Sequence, residues 1–132
     1  MTPRFRVWHK TWEEMGKVKR IRFDDEGNIS TVFIQSETLG SNAYLKDIEL
    51  MQSTGLHDKN GKEIFEGDIL HHQIQTEYTF IVKYDKDKGR WYGDGLSRTY
   101  RIDIAKRFLP YYYKVIGNIY ENPKLLEVDN EN

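Results

Sequence analysis

The side chains best able to bind a metal or move a proton in this 132-residue chain are four histidines and two knots of carboxylates. The histidines stand at positions 9, 57, 71 and 72, and the acids at Asp24-Asp25-Glu26 and at Glu63, Glu66 and Asp68. His71 and His72 adjoin in a segment that reads as a strand, so they point to opposite faces and cannot readily share an ion. A site joining one of them to His57 or Glu77 would still lack the converging ligands that zinc requires. Surface histidines are the plainer reading. Paired carboxylates do acid–base work when burial drives their pKa values apart, but acids in turns normally stay solvated. Asp58-Lys59-Asn60-Gly61 and Asp85-Lys86-Asp87-Lys88-Gly89 begin like calcium loops. Both lack a ligand at the fifth position and the downstream Glu, so they read as turns. The chain has no cysteine, which removes disulfides, thiolate metal sites and cysteine nucleophiles. No nucleophile elbow, Walker loop or dinucleotide fingerprint occurs, and Gly93-Asp94-Gly95 lacks a strand–helix context. The expectation is no enzyme, no cofactor and no metal.

Bases interleaved with aromatics are the better functional signal. They occur in Arg4-Phe5-Arg6-Val7-Trp8-His9-Lys10-Thr11-Trp12, Arg90-Trp91-Tyr92, Arg98-Thr99-Tyr100-Arg101 and Lys106-Arg107-Phe108. Bases offer phosphate contacts and aromatics offer stacking, the two ingredients of single-strand binding by small β domains. Arg4, Arg6, Trp12, Arg90, Trp91, Arg98 and Arg101 are therefore the candidate nucleic-acid contacts. A strand with a basic polar face and an aromatic apolar face produces the same pattern, and the net charge of −1 argues against a dedicated binder. That average conceals blocks. Residues 1–23 hold seven bases and two acids, 24–82 three and eleven, 83–114 nine and four, and 115–132 one and four. Such blocks either form charged faces or neutralise one another across strands; neutralisation is the simpler outcome.

The elements that must position these residues are mostly strands. Aromatics make up 14% of the chain, beside Val and Ile and broken by Gly, Asn and Asp turns. Phe5 to Trp8 alternates as a first strand. Lys17 to Phe23 and Ile29 to Ile34 flank Asp24–Asn28 as a hairpin, and Ser36 to Asn42 reads as a loop. Glu49 to Thr54 reads as a short strand. Asn60-Gly61 signals a tight I′ turn, and Glu66-Gly67-Asp68 bends the chain into Ile69-Leu70. Tyr78 to Tyr84 alternates and turns at Asp85–Gly89 into Arg90-Trp91-Tyr92. Asp103 is a candidate cap for a short helix through Leu109 that Pro110 stops, and Tyr111 to Ile116 follows as a strand. Asn122-Pro123 opens a terminal turn.

The fold expected is mainly β: a small SH3-like or partly open barrel built from hairpins, with one or two short helices. Trp8, Ile21, Phe23, Ile64, Ile69, Phe80, Val82, Val115 and Ile116 are its expected core. Length predicts a single domain over residues 1–127, with 1–46 a candidate N-terminal subdomain and 128–132 a flexible tail. No apolar run approaches the ~20 residues of a membrane span, and the longest, Phe108 to Tyr113, contains Pro110. Signal peptide and span are thus both expected to be absent, so Asn28-Ile29-Ser30 would stay unglycosylated.

Three stretches together resemble the YopX family of phage and prophage proteins: Phe5-Arg6-Val7-Trp8, the long run Glu49 to Ile69 (ELMQSTGLHDKNGKEIFEGDI), and Val115-Ile116-Gly117-Asn118-Ile119-Tyr120-Glu121-Asn122-Pro123. His9 stands where the family usually has an acid, and Ser53 where an aromatic is common. The resemblance implies a β-rich accessory protein of a phage or prophage, acting in the bacterial cytoplasm through self-association and contacts with a phage or host protein. It brings no activity, and so no catalytic residue to carry over. A nucleic-acid-binding module is the alternative.

Overall fold

The computed structural model describes residues 4–96, 101–104 and 109–127. Arg98, the Lys106-Arg107-Phe108 stretch and the tail 128–132 lie outside the described residues. The described strands form two antiparallel sheets that are open rather than closed into a barrel. Two compact units divide the chain, Thr2–Gln52 and Ser53–Asn132.

In the N-terminal unit, β1 (Phe5–His9), β2 (Glu14–Phe23), β3 (Ile29–Gln35) and β4 (Gly40–Tyr44) lie in the order β4-β3-β2-β1. The first half of β5 (Ile48–His57) pairs with β1. Period-2 alternation sends Val7, Val32, Ile34, Ala43 and Ile48 to one side, where they form the core with Val18, Ile29 and Leu50. Gly16 is required there, because a Cβ would meet Ile34 Cγ2 at 2.5 Å. The expected loop at Ser36–Asn42 is shorter than predicted: Gly40 to Asn42 already pair with β3 as an edge strand. Trp8 and Ile21 are only half-buried, and Phe23 is 59% exposed. Val7, on the other side of β1, takes the core position, and Phe23 sits beside the hairpin tip, where the sheet runs out.

In the C-terminal unit, the second half of β5 pairs with β6 (Glu63–Phe65). A five-stranded sheet holds β7 (Asp68–His72), β8 (Thr79–Asp85), β9 (Arg90–Gly95), β10 (Arg101–Asp103) and β11 (Tyr113–Asn118), ordered β10-β9-β8-β7-β11. Ile64, Leu70, Phe80, Val82 and Val115 form its core, and Trp91, Ile102 and Tyr113 pack against them. Phe80 packs against Gly93, where an added Cβ would clash with three ring atoms. Ile69 is buried as expected, whereas Ile116 is 38% exposed because it alternates with Val115. Asp103 ends β10 rather than capping a helix, residues 105–108 of the expected helix lie outside the described residues, and α1 runs Leu109–Tyr112. Pro110 lies within α1 rather than stopping it. Tyr111 and Tyr112 are consequently helical, and the strand starts at Tyr113. A final 3-10 turn spans Pro123–Leu126.

Two of the hairpin tips share one local device. Asp24 N–H donates to Asn28 O, Gly27 N–H to Asp24 O, and Asp24 Oδ1 accepts from Glu26 and Asn28 N–H. Asp58 repeats every bond with Lys62, Gly61, Asn60 and Lys62. Only the glycines have positive φ, +85° and +81°. The Asn60-Gly61 turn is thus a type I turn closed by a left-handed glycine and not the expected I′ turn, which needs positive φ at both residues. Gly67, at φ +88°, makes the predicted bend before Asp68.

Candidate interaction surfaces

Register decides what the basic and aromatic residues can do. In the C-terminal sheet, Asp85 opposes Arg90, Lys83 opposes Tyr92, Tyr92 opposes Asp103, and Asp94 opposes Arg101. These side chains share the face turned away from Phe80 and Val82. Lys83 Nζ meets Asp94 Oδ2 at 2.6 Å, Arg101 Nη2 meets Asp85 Oδ2 at 2.8 Å, and Arg90 Nε meets Asp103 Oδ1 at 3.6 Å. The Arg101 guanidinium lies 3.7 Å over the Tyr92 ring. A shallow cavity of about 260 Å³ is lined by Asp85, Lys88, Arg90, Tyr92, Arg101 and Asp103. The Lys88 backbone N–H holds the Asp85 carboxyl below its ordinary value of 3.8, helped by Arg101 and the Asp87 N–H and opposed by partial desolvation. Arg90 and Arg101 come together here, each facing a carboxylate. Trp91 points the other way, packing on the core and edge-on to Tyr84 at 4.9 Å.

The N-terminal candidates are dispersed. Arg4 is exposed just before β1, and Arg6 Nε contacts Met51 Sδ at 3.4 Å. Trp12 stacks on His9 at 3.9 Å and donates its backbone N–H to His9 Nδ1. His9 is 7% exposed, so the surface reading of the histidines fails for this one: its ring organises the turn between β1 and β2. The richer surface is one the sequence did not single out. On the outer side of β2–β4, Lys17 opposes Gln35, Arg20 opposes Phe33, and Arg22 opposes Thr31; Asn42 and Tyr44 of β4 face Phe33 and Thr31. Arg20 Cζ sits 5.0 Å above the Phe33 ring. An open depression of about 490 Å³ is lined by Arg20, Arg22, Phe23, Thr31, Phe33 and Asn42. Two register shifts in the β2–β3 pairing, at Val18/Arg20 and Arg22/Phe23, set these faces. Strict alternation along β2 does not reveal them.

The carboxylates read as solvated turns include two that are buried. Asp58 is 2% exposed: Oδ1 holds its own turn, and Oδ2 accepts from the Val115 N–H at 2.9 Å. Lys59 N–H donates to Tyr113 O, so this turn occupies the outer edge of β11. Asp68 is 1% exposed and accepts from the Phe65 N–H at 2.8 Å. Among the described residues no three His, Asp or Glu gather in a way that could hold a metal. His71 bonds Thr79 Oγ1 at 2.7 Å, and His72 Nδ1 accepts from Ile74 and Gln75 N–H. His72 also stacks on Tyr112 at 5.3 Å, with Gln73 N–H donating to Tyr112 O. This draws Ile74, Tyr111 and Tyr112, exposed by 72, 67 and 39%, to one place.

Two open antiparallel sheets with few short helices define a mainly β protein. The family model described as YopX protein matches residues 4–127, and the chain belongs to that family. Among solved structures it is similar to protein EF1440 from Enterococcus faecalis, at 32% identity and TM-score 0.73, covering 96% of this chain and 99% of that one. It also shares its fold with the YopX protein of Bacillus subtilis, at 20% identity and TM-score 0.61, covering 98% and 100%. No curated protein matches. Among the described residues no helix is long and apolar enough to cross a membrane.

Proposed function

We propose that this protein is a phage- or prophage-encoded accessory protein of the bacterial cytoplasm that works through protein contacts, self-association among them, and not as an enzyme. The observation that carries the reading is the patch of Ile74, Tyr111 and Tyr112 around His72. Large apolar and aromatic side chains left in water at one place are the usual signature of a protein contact, and Tyr is favoured there because its ring packs while its hydroxyl stays wet. Consistent with a non-catalytic role, the buried carboxylate of Asp58 is engaged by backbone N–H groups. Light scattering over a concentration series tests the proposal. The expected result is a mass above the 15.8 kDa monomer that falls back to it in Ile74→Asp/Tyr111→Asp. A strict monomer at high concentration contradicts self-association.

A further inference from the structure

Bases and aromatics on a strand say little alone, because any solvated strand face shows them. The outer face of β2–β4 differs from that default in its lack of counter-charges. No acid occupies a position on this face, and among the described residues Lys17, Lys19, Arg20 and Arg22 make no ion pair. The unit's acids lie elsewhere: Asp24, Asp25 and Glu26 form the hairpin tip, Glu13 and Glu37 stand in loops, Asp47 precedes β5, Glu14 accepts from Thr38, and Glu49 pairs with Lys10 at 3.4 Å. Beside the bases, Tyr44 and Phe23 are 62% and 59% exposed. Exposed rings beside unpaired cations are an arrangement that burial does not explain.

We infer that this face binds single-stranded nucleic acid, with Lys17, Arg20 and Arg22 on the phosphates and Phe33 and Tyr44 under the bases. Phe33 and Tyr44 are diagonal neighbours across β3 and β4, a relation that puts the residues roughly 7–8 Å apart with their Cβ atoms somewhat closer. That spacing suits consecutive bases of a strand opened from its own stack. Arg20 lies over Phe33, so a base reaches that ring as the guanidinium, held by no carboxylate, swings aside to the adjoining phosphate. The depression of about 490 Å³ falls within the ~300–1,000 Å³ of small-molecule sites and gives one base room to seat. A duplex keeps its ring faces hidden and would leave the two aromatics unused. This surface shares no residue with the Ile74–Tyr111 patch, so the inference stands or falls independently of self-association.

The test is fluorescence anisotropy of labelled (dT)20 with the full chain at rising salt. Three phosphate contacts predict that log K falls against log salt with a slope of about −2. Arg20→Glu/Arg22→Glu should weaken binding more than tenfold and flatten the slope. Tyr44→Ala should weaken it about tenfold with the slope kept, since stacking is uncharged. Arg90→Ala, in the C-terminal sheet, should change nothing. Should the double reversal fail to fold, Arg22→Gln alone carries the slope readout. Absence of binding at low salt overturns the inference. So does binding indifferent to these substitutions, equal affinity for a duplex, or displacement by polyglutamate as effective as by unlabelled (dT)20, which would mark a site for acidic protein.

Discussion

The outer faces of β8–β10 and of β2–β4 are built from the same residue types and behave oppositely. On the C-terminal sheet, Lys83, Arg90 and Arg101 each reach a carboxylate, and Arg101 also covers Tyr92. On the N-terminal sheet, Lys17, Arg20 and Arg22 stand opposite Gln35, Phe33 and Thr31, none of which can neutralise them. Interleaved bases and aromatics therefore describe a strand's composition and not its role. The residue placed across the ladder decides whether the cations are consumed within the fold or left for a partner.

Substitutions that remove what positions the C-terminal face should have the largest effect. Phe80→Asp places a carboxylate under that sheet, against Tyr113 and over Gly93, and should cost about 4 kcal/mol or more in urea melts. Asp58→Ala should follow at about 3 kcal/mol, because the buried Val115 N–H loses its acceptor and the turn leaves the edge of β11. A loss like that of an ordinary surface turn would contradict this account of Asp58. Asp85→Asn should give a smaller loss with a distinct pH dependence. The folded carboxyl titrates below 3.8, so its contribution is present above that value and disappears as pH falls through the folded pKa. Melts of wild type and Asp85→Asn should thus converge in acid; a constant gap would rule out the depressed carboxyl. Arg20→Ala/Arg22→Ala and Lys86→Asp should each stay within about 0.5 kcal/mol, since these exposed side chains support no buried group. A large loss from the arginine pair would mean that they are structural and would erase the contrast between the faces.

Turns and alternation were legible in the sequence because both are local. An Asp three residues before a Gly makes the same cradle at Asp24 and Asp58, and Phe80 and Val82 mark their buried face within a few residues. What depends on distant register was not legible. Asp58 looked like an ordinary turn acid because its decisive partner is Val115, 57 residues away. Trp8 outweighs Val7 in size, yet the smaller residue faces the core, since Leu50 and Gly16 oppose it. Arg90 and Arg101 read as nucleic-acid contacts in the sequence because Asp103 and Asp85 meet them only across the folded sheet. Arg20 and Arg22 escape a reading by alternation because the extra residue at Lys19 in β2 hides which way they point.

The contrast between the two faces is most directly tested by an NMR titration of the isotope-labelled chain with (dT)12 at low salt. Backbone shifts are expected at Arg20, Arg22, Thr31, Phe33, Asn42 and Tyr44, with Lys83, Arg90, Tyr92, Asp94 and Arg101 unmoved. Shifts centred on β8–β10, or spread equally over both sheets, would contradict the account.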